Sequence, residues 1–139
     1  MSWLKQNSRL EELLALQPEL AVRYQAFLRA LETSDHVPAR VLALCRARIE
    51  QIHGGPGEGV PEEDLGYLAT GDFSHFAPDE QAALDAAERI PYQHHQLQDE
   101  EVEAVRLAFG DAGCVTLLTA LSIFDMQARL KLTLATGEI

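Results

Sequence analysis

Apolar side chains recur along this chain at intervals of three and four, the period of a helix with one buried face. No stretch shows the alternation that a half-buried strand requires. Leu10, Leu13 and Leu14 mark a short amphipathic helix over about residues 9 to 16. Pro18 suits the first turn of a second helix reaching about Glu32, with Leu20, Tyr24, Phe27 and Leu31 at helical spacing. Pro38 opens a third, which ends at Gly54. Pro78, followed by Asp79 and Glu80, starts another that stops before Pro91. Asp99 caps the next, with Val102, Val105 and Phe109 inward and Gly110 as its stop; a last helix runs from about 112 to 135. With no internal repeat and no low-complexity segment, the pattern predicts a single all-α domain over residues 1–139.

Polar positions refine this pattern on two helices. At about 100° per residue, Val41, Leu42, Leu44, Cys45, Ile49 and Ile52 share one arc of the third helix, with Arg46 and Glu50 opposite, in water. Arg48 falls inside the apolar arc, where a bare charge is too costly. It must snorkel out or find a partner, so a buried or interfacial ion pair is expected and an anion-binding role is the sharper alternative. The last helix, "GCVTLLTALSIFDMQARLKLTLA", is apolar nearly all round, as befits a central helix or one also packed on another subunit. One of its faces carries Ser122, Asp125 and Arg129 among Leu118, Leu121 and Leu132. Asp125 precedes Arg129 by four residues, the favourable order for an ion pair.

Composition narrows the partners. The net charge is −11 and the 11 Lys and Arg are scattered, so an acidic surface without a basic patch argues against nucleic acid. No apolar run is expected to reach the roughly 20 residues of a membrane span, and "MSWLKQNSRLEELL" lacks a signal peptide's apolar core. Only two cysteines are present, Cys45 and Cys114, each inside an apolar helical pattern. They suggest buried packing residues and a cytoplasmic home rather than a disulfide framework or zinc site.

The stretch "RIEQIHGGPGEGVPEED" (residues 48–64) is the candidate for chemistry. Phosphate loops follow a strand and open a helix; this one follows a helix and leads into acids, which repel phosphate. Its glycines serve as helix stop and turn. The pair His94–His95 is read as part of a polar interhelix loop rather than half a metal site, and no metal is expected. "LGYLATGDFSHF" (residues 65–76) supplies aromatics suited to a lid on the core.

Several stretches together resemble one family: "LQPELAVRYQAFLRAL", "VPARVLALCRARIEQIHGG", "DEQAALDAAERI", "LQDEEVEAVRLAFGD" and "LSIFDMQARLKL", in that order. They look like the carboxymuconolactone decarboxylase and alkylhydroperoxidase D-like superfamily, over nearly the whole chain. The resemblance implies an all-helical bundle that assembles into homo-oligomers, from dimers to hexamers. The final stretch is similar to the family's terminal helix, with Asp125 where Asn is usual and Arg129 kept, and Arg48 falls where these proteins often carry Arg. The family's peroxidase branch works through Cys-x-x-Cys with a relaying Glu and His. Laid on that motif, this chain has Gly55 and Glu58 at the two cysteines, Ala43 at the relay glutamate and Glu62 near the relay histidine. Without sulfur in the loop there is nothing to oxidise or resolve.

Three function classes follow from the resemblance. The first is a non-catalytic or regulatory helical oligomer without thiol peroxidase activity. The second, after the decarboxylase branch, is an acid–base enzyme acting on a small anionic metabolite and needing no metal or organic cofactor. Its catalytic candidates are His53, Glu58 and, further off, His75; its substrate-binding candidates are Arg48, Asp125 and Arg129. The third is a peroxidase with relocated thiols.

Overall fold

Proline stands at or just before the start of four of the helices. Its fixed φ prepares a helical turn, and its missing N–H would have had no partner there. The computed structural model of the chain describes residues 10–133, which form α1 Leu10–Leu14, α2 Pro18–Glu32, α3 Ala39–Ile52, α4 Glu62–Thr70, α5 Pro78–Gln93 and α6 Asp99–Thr133. A 3₁₀ turn, His94–Gln96, links the last two, and there is no strand among the described residues. Pro18 and Pro78 stand inside the first turns of α2 and α5, while Pro38 and Pro61 directly precede α3 and α4. Acids follow in the first turns of α4, α5 and α6, where they face the positive end of the helix dipole. Glu80 and Glu101 each reach back to accept a backbone N–H, from Ala77 and Gln98, both at 3.0 Å. Residue 9, assigned by pattern to the first helix, and residues 134 and 135, assigned to the last, lie outside the described residues.

The all-helical expectation is met, with three differences. Helix α4 occupies the acidic stretch after the glycines; its nine residues offer Leu65 and Leu68 as the only spaced aliphatic pair, too little periodicity to register. Helix α5 continues through Pro91 to Gln93. Pro91 supplies no N–H to the carbonyl of Ala87, but one lost bond near the end of a packed helix does not stop it. Helix α6 is broken at Gly110 (φ 78°, ψ 176°), where the sequence places a stop, and its second arm begins without a loop.

The core lies where α3, α5 and α6 meet, with α4 laid across α3. Leu44, Cys45, Ile49, Leu68, Leu84, Val105, Leu117 and Leu121 are its largest fully enclosed side chains. Arg40 pins the start of α3 to both neighbours, through Asp64 of α4 at 2.9 Å and Glu80 of α5 at 2.8 Å. Phe73 and Phe76 are buried beneath the turn after α4, as the lid assignment for this stretch requires. Helix α2 departs from expectation. Leu31 is buried, but Leu20 and Phe27 are 53% and 46% exposed, because among the described residues the main neighbour of α2 is the short α1.

Helix α6 bears on the membrane reading of the sequence without overturning it. An 18-residue stretch of it has a mean hydropathy of 1.7, enough by length and composition for a span. That is weak support for a membrane, since the core helix of a soluble protein meets the same criterion, and a third of the stretch is buried against the rest of the fold.

Candidate functional site

The glycine stretch folds back onto α3. His53 caps that helix, and Gly54 (φ 97°) turns the chain away. Gly57 (φ 79°) then lies flat on the helix: a Cβ there would sit 3.0 Å from the backbone oxygen of Ala47 and 3.4 Å from Cγ of Gln51. Gln51 holds the return, its amide nitrogen donating to the backbone oxygens of Pro56 (3.3 Å) and Leu65 (3.1 Å). The glycines therefore serve both conformation and close approach.

This fold-back leaves Glu58 beside a cleft of ≈ 190 Å³. Arg46 lies in it with the apolar walls Leu42, Ala43 and Phe124, and with Glu32 and Glu58. The guanidinium of Arg46 stands 5.6 Å over the Phe124 ring and 3.9 and 3.8 Å from Glu32 and Glu50. Glu50 is not solvated as helical phase alone suggests, because its side chain is only 12% exposed. Burial pushes its carboxyl above the usual range, Lys131 and Arg46 oppose this, and the charge of Glu58 adds to it. Ala43 and Glu58, at the positions of a relay glutamate and a second cysteine by resemblance, line this same cleft.

A second constellation joins the ends of α3 and α5 to α6. The His53 side chain is 1% exposed. Its Nε2 lies 2.7 Å from Oδ1 of Asp125 and its Nδ1 lies 3.1 Å from the hydroxyl of Tyr92. In the neutral ring with the proton on Nε2, Nε2–H donates to Asp125 and Nδ1 accepts from the phenol; in the imidazolium both nitrogens donate. Asp125 also accepts from Nε of Arg129 at 3.0 Å, the ion pair expected from their spacing. Nη2 of Arg129 donates to the backbone oxygen of Pro91, one of the last carbonyls of α5, and the guanidinium lies 5.1 Å over the Tyr92 ring. Tyr92 is 59% exposed, so the line Asp125–His53–Tyr92 leads from a buried histidine to the surface.

The structure thus brings His53, Asp125 and Arg129 together and leaves the other candidates apart. Arg48 holds Glu88 in a two-pronged pair, both contacts at 2.8 Å, and touches Gln51 at 3.4 Å. That is the ion pair expected for an arginine on an apolar arc. Glu58 lies in the cleft, whose walls include neither His53 nor Arg48. His75 stacks on Tyr67 with ring centres 3.7 Å apart. Ser122 turns its hydroxyl to the backbone oxygen of Leu118. Tyr92 gives no signal in the sequence because Pro91 reads there as a helix stop; one further helical turn puts its ring against His53.

Neither thiol is among the residues that line the cleft. Cys45 is fully buried and burial drives its thiol far above the ordinary value; Cys114 is buried too, and burial again raises its thiol. Both are unpaired. Among the described residues no group of three or more His, Cys, Asp and Glu is arranged to hold a metal ion. No family model, curated protein or solved structure matches the chain.

Proposed function

We propose that this chain is a divergent helical protein of the alkylhydroperoxidase D-like kind, without thiol peroxidase chemistry, acting as a non-catalytic or regulatory homo-oligomer. The observation that carries the reading is what occupies the place of the redox pair. The fold-back loop presents Glu58 to a cleft also lined by Ala43, while both thiols lie buried elsewhere with their protons held. A peroxide in that cleft meets carboxylates and an arginine, none of which reduces it. Self-association is supported by Leu20 and Phe27, seven residues apart on one side of α2, which remain 53% and 46% exposed. The test is consumption of hydrogen peroxide and an alkyl hydroperoxide under a dithiol reductant, in wild type and in Cys45→Ser and Cys114→Ser. Rates at the protein-free background are expected in all three; turnover abolished by either substitution would sink the reading.

A second reading, an acid–base enzyme for a small anionic metabolite, has one observation in its favour: the buried Asp125–His53 pair hydrogen-bonded to an exposed phenol. It predicts that small carboxylates raise the melting temperature through Arg129, and that such a shift vanishes in Arg129→Ala but survives in Arg48→Ala, since Arg48 is engaged by Glu88. A shift that is lost in Arg48→Ala and kept in Arg129→Ala would reverse the assignment.

A further inference from the structure

The geometry points to Tyr92 as a proton-accepting catalytic residue, backed by His53 and Asp125, in a surface site for a small carboxylate held by Arg129. The inference rests on the acid–base reading above and gives that site its reacting atom.

Three observations converge on Tyr92. Its hydroxyl ends a hydrogen-bonded line whose middle member, His53, is shielded from water, so a proton leaving the phenol has one internal acceptor, Nδ1 at 3.1 Å. Behind that acceptor Asp125, at 2.7 Å, stabilises the imidazolium once formed. Finally, Arg129 lies over the phenol ring, with Nε given to Asp125 and Nη2 to Pro91, while its side chain is 46% exposed. Its Nη1 donates to nothing among the described residues and is left for an anion. With the guanidinium carbon 5.1 Å over the centre of the Tyr92 ring, a carboxylate on Nη1 would lie beside that ring.

The step balances. Tyr92 Oη takes a proton from an acidic C–H or O–H beside the substrate carboxylate and releases its own proton to His53 Nδ1. The substrate becomes an enolate or alkoxide beside Arg129, and Asp125 carries the new imidazolium. Return of the protons in the reverse order resets the site. The rings of Tyr24 and Tyr67 have no such backing: the Tyr24 hydroxyl accepts from Gln127, and Tyr67 is stacked on His75.

Acetylation by N-acetylimidazole reads the phenol oxygen directly, without a substrate. The phenol oxygen bonds to the acetyl carbon as its proton goes to His53 Nδ1, the C–N bond breaks, and the departing imidazole takes a proton from water, to which the imidazolium later returns one. Native protein and free N-acetyltyrosine amide are acetylated in one vessel, and Tyr92, Tyr24 and Tyr67 are followed by peptide mass mapping. Tyr92 is expected to react about tenfold or more faster than the free amide, a fraction of what a positioned base supplies in an active site. In His53→Gln the rate should fall to that of the amide or below, with Asp125→Asn between the two. Reaction of wild-type Tyr92 no faster than the free amide overturns the proposal without any variant, and leaves the network as a staple between helices. If Tyr92 is unreactive while carboxylate stabilisation still depends on Arg129, the acid–base reading stands and the assignment of its base falls.

Discussion

Replacing Gly57 with Ala tests whether the glycine loop is seated on α3 or only hangs from it. Two costs act at that position. The left-handed conformation, φ 79°, costs a side chain about 1–2 kcal/mol. The new methyl would also stand 3.0 Å from the Ala47 carbonyl oxygen, a backbone atom inside a packed helix that cannot yield, and 3.0 Å from Cδ2 of Leu65. Overpacking of this kind costs about 1–3 kcal/mol. Reduced freedom of the unfolded chain returns about 0.4–1 kcal/mol. The net is a loss of about 1–4.5 kcal/mol, centred on ~3 kcal/mol. Gly54 and Gly59 supply the control, with φ of 97° and 87° and nothing within 4 Å of where an added methyl would stand. Their alanine variants carry the conformational cost alone, about 1 kcal/mol after the same offset. Urea denaturation of the three variants and wild type, followed by helical circular dichroism, measures the difference. Equal losses in Gly57→Ala and Gly59→Ala would refute the seating and, with it, the account of how Glu58 comes to face the cleft.

Other perturbations follow from single groups. Glu50 has a carboxyl raised by burial, so the folded state holds its proton more tightly than the unfolded chain does; this contribution is present below the unfolded value, about 4.3, and is lost as pH rises through the folded one. Glu50→Gln should therefore be more stable than wild type at pH 7, with the gain shrinking toward pH 4 in thermal melts; a gain that grows on acidification would contradict the burial argument. Cys45 should resist a thiol-specific aromatic disulfide in the native protein and react at once in denaturant, because its thiol is buried and its proton held. Glu88→Gln should cost about 1–3 kcal/mol in chemical denaturation by weakening a two-pronged charged pair around a mostly covered Arg48, whereas Arg48→Met should cost less, since Glu88 is 39% exposed and can hydrate. The reverse order would mean that Glu88, not Arg48, is the charge dependent on its partner.

Much of the fold is legible in the sequence because it is written in local periodicity. Val41, Leu42, Leu44, Cys45 and Ile49 of the α3 arc and Val105 of the inward set in α6 are buried where a period of 3.6 puts them, while Ile52, Val102 and Phe109 are half-buried at the margins. Helix starts are legible through Pro18, Pro38 and Pro78, and the break in α6 through Gly110. The failures are those of a local rule facing a tertiary fact. Leu20 and Phe27 have correct helical spacing, yet spacing states only that a face is apolar, not that anything covers it. Glu50 lies on the polar side of α3, but three helices surround α3, so no side of it is wholly water. Pro91 breaks the pattern without breaking the helix.

The candidate site is half legible for the same reason. Asp125 and Arg129 are four residues apart on one helix, and their pair can be read directly. His53 lies 72 residues from Asp125 and 39 from Tyr92, distances over which a single sequence carries no spacing signal. What links them in space is the end of α3: Gly54 turns the loop away at once, so His53 stays behind as the cap and points into the fold. The glycine stretch thus acts twice through its two ends. Its first glycine leaves a histidine buried between a carboxylate and a phenol, and its third presses the returning chain onto Ala47 so that Glu58 meets the cleft. A loop that lacks a redox pair has in this way separated the chain's ionisable groups into two places, an acidic cleft around Arg46 and a proton line ending at Tyr92. Substitutions that loosen Gly57 should therefore disturb the cleft and leave the reactivity of Tyr92 intact, because His53 is held by α3, α5 and α6 rather than by the loop. Loss of both together in Gly57→Ala, in protein that still melts cooperatively, would show that the two places are one.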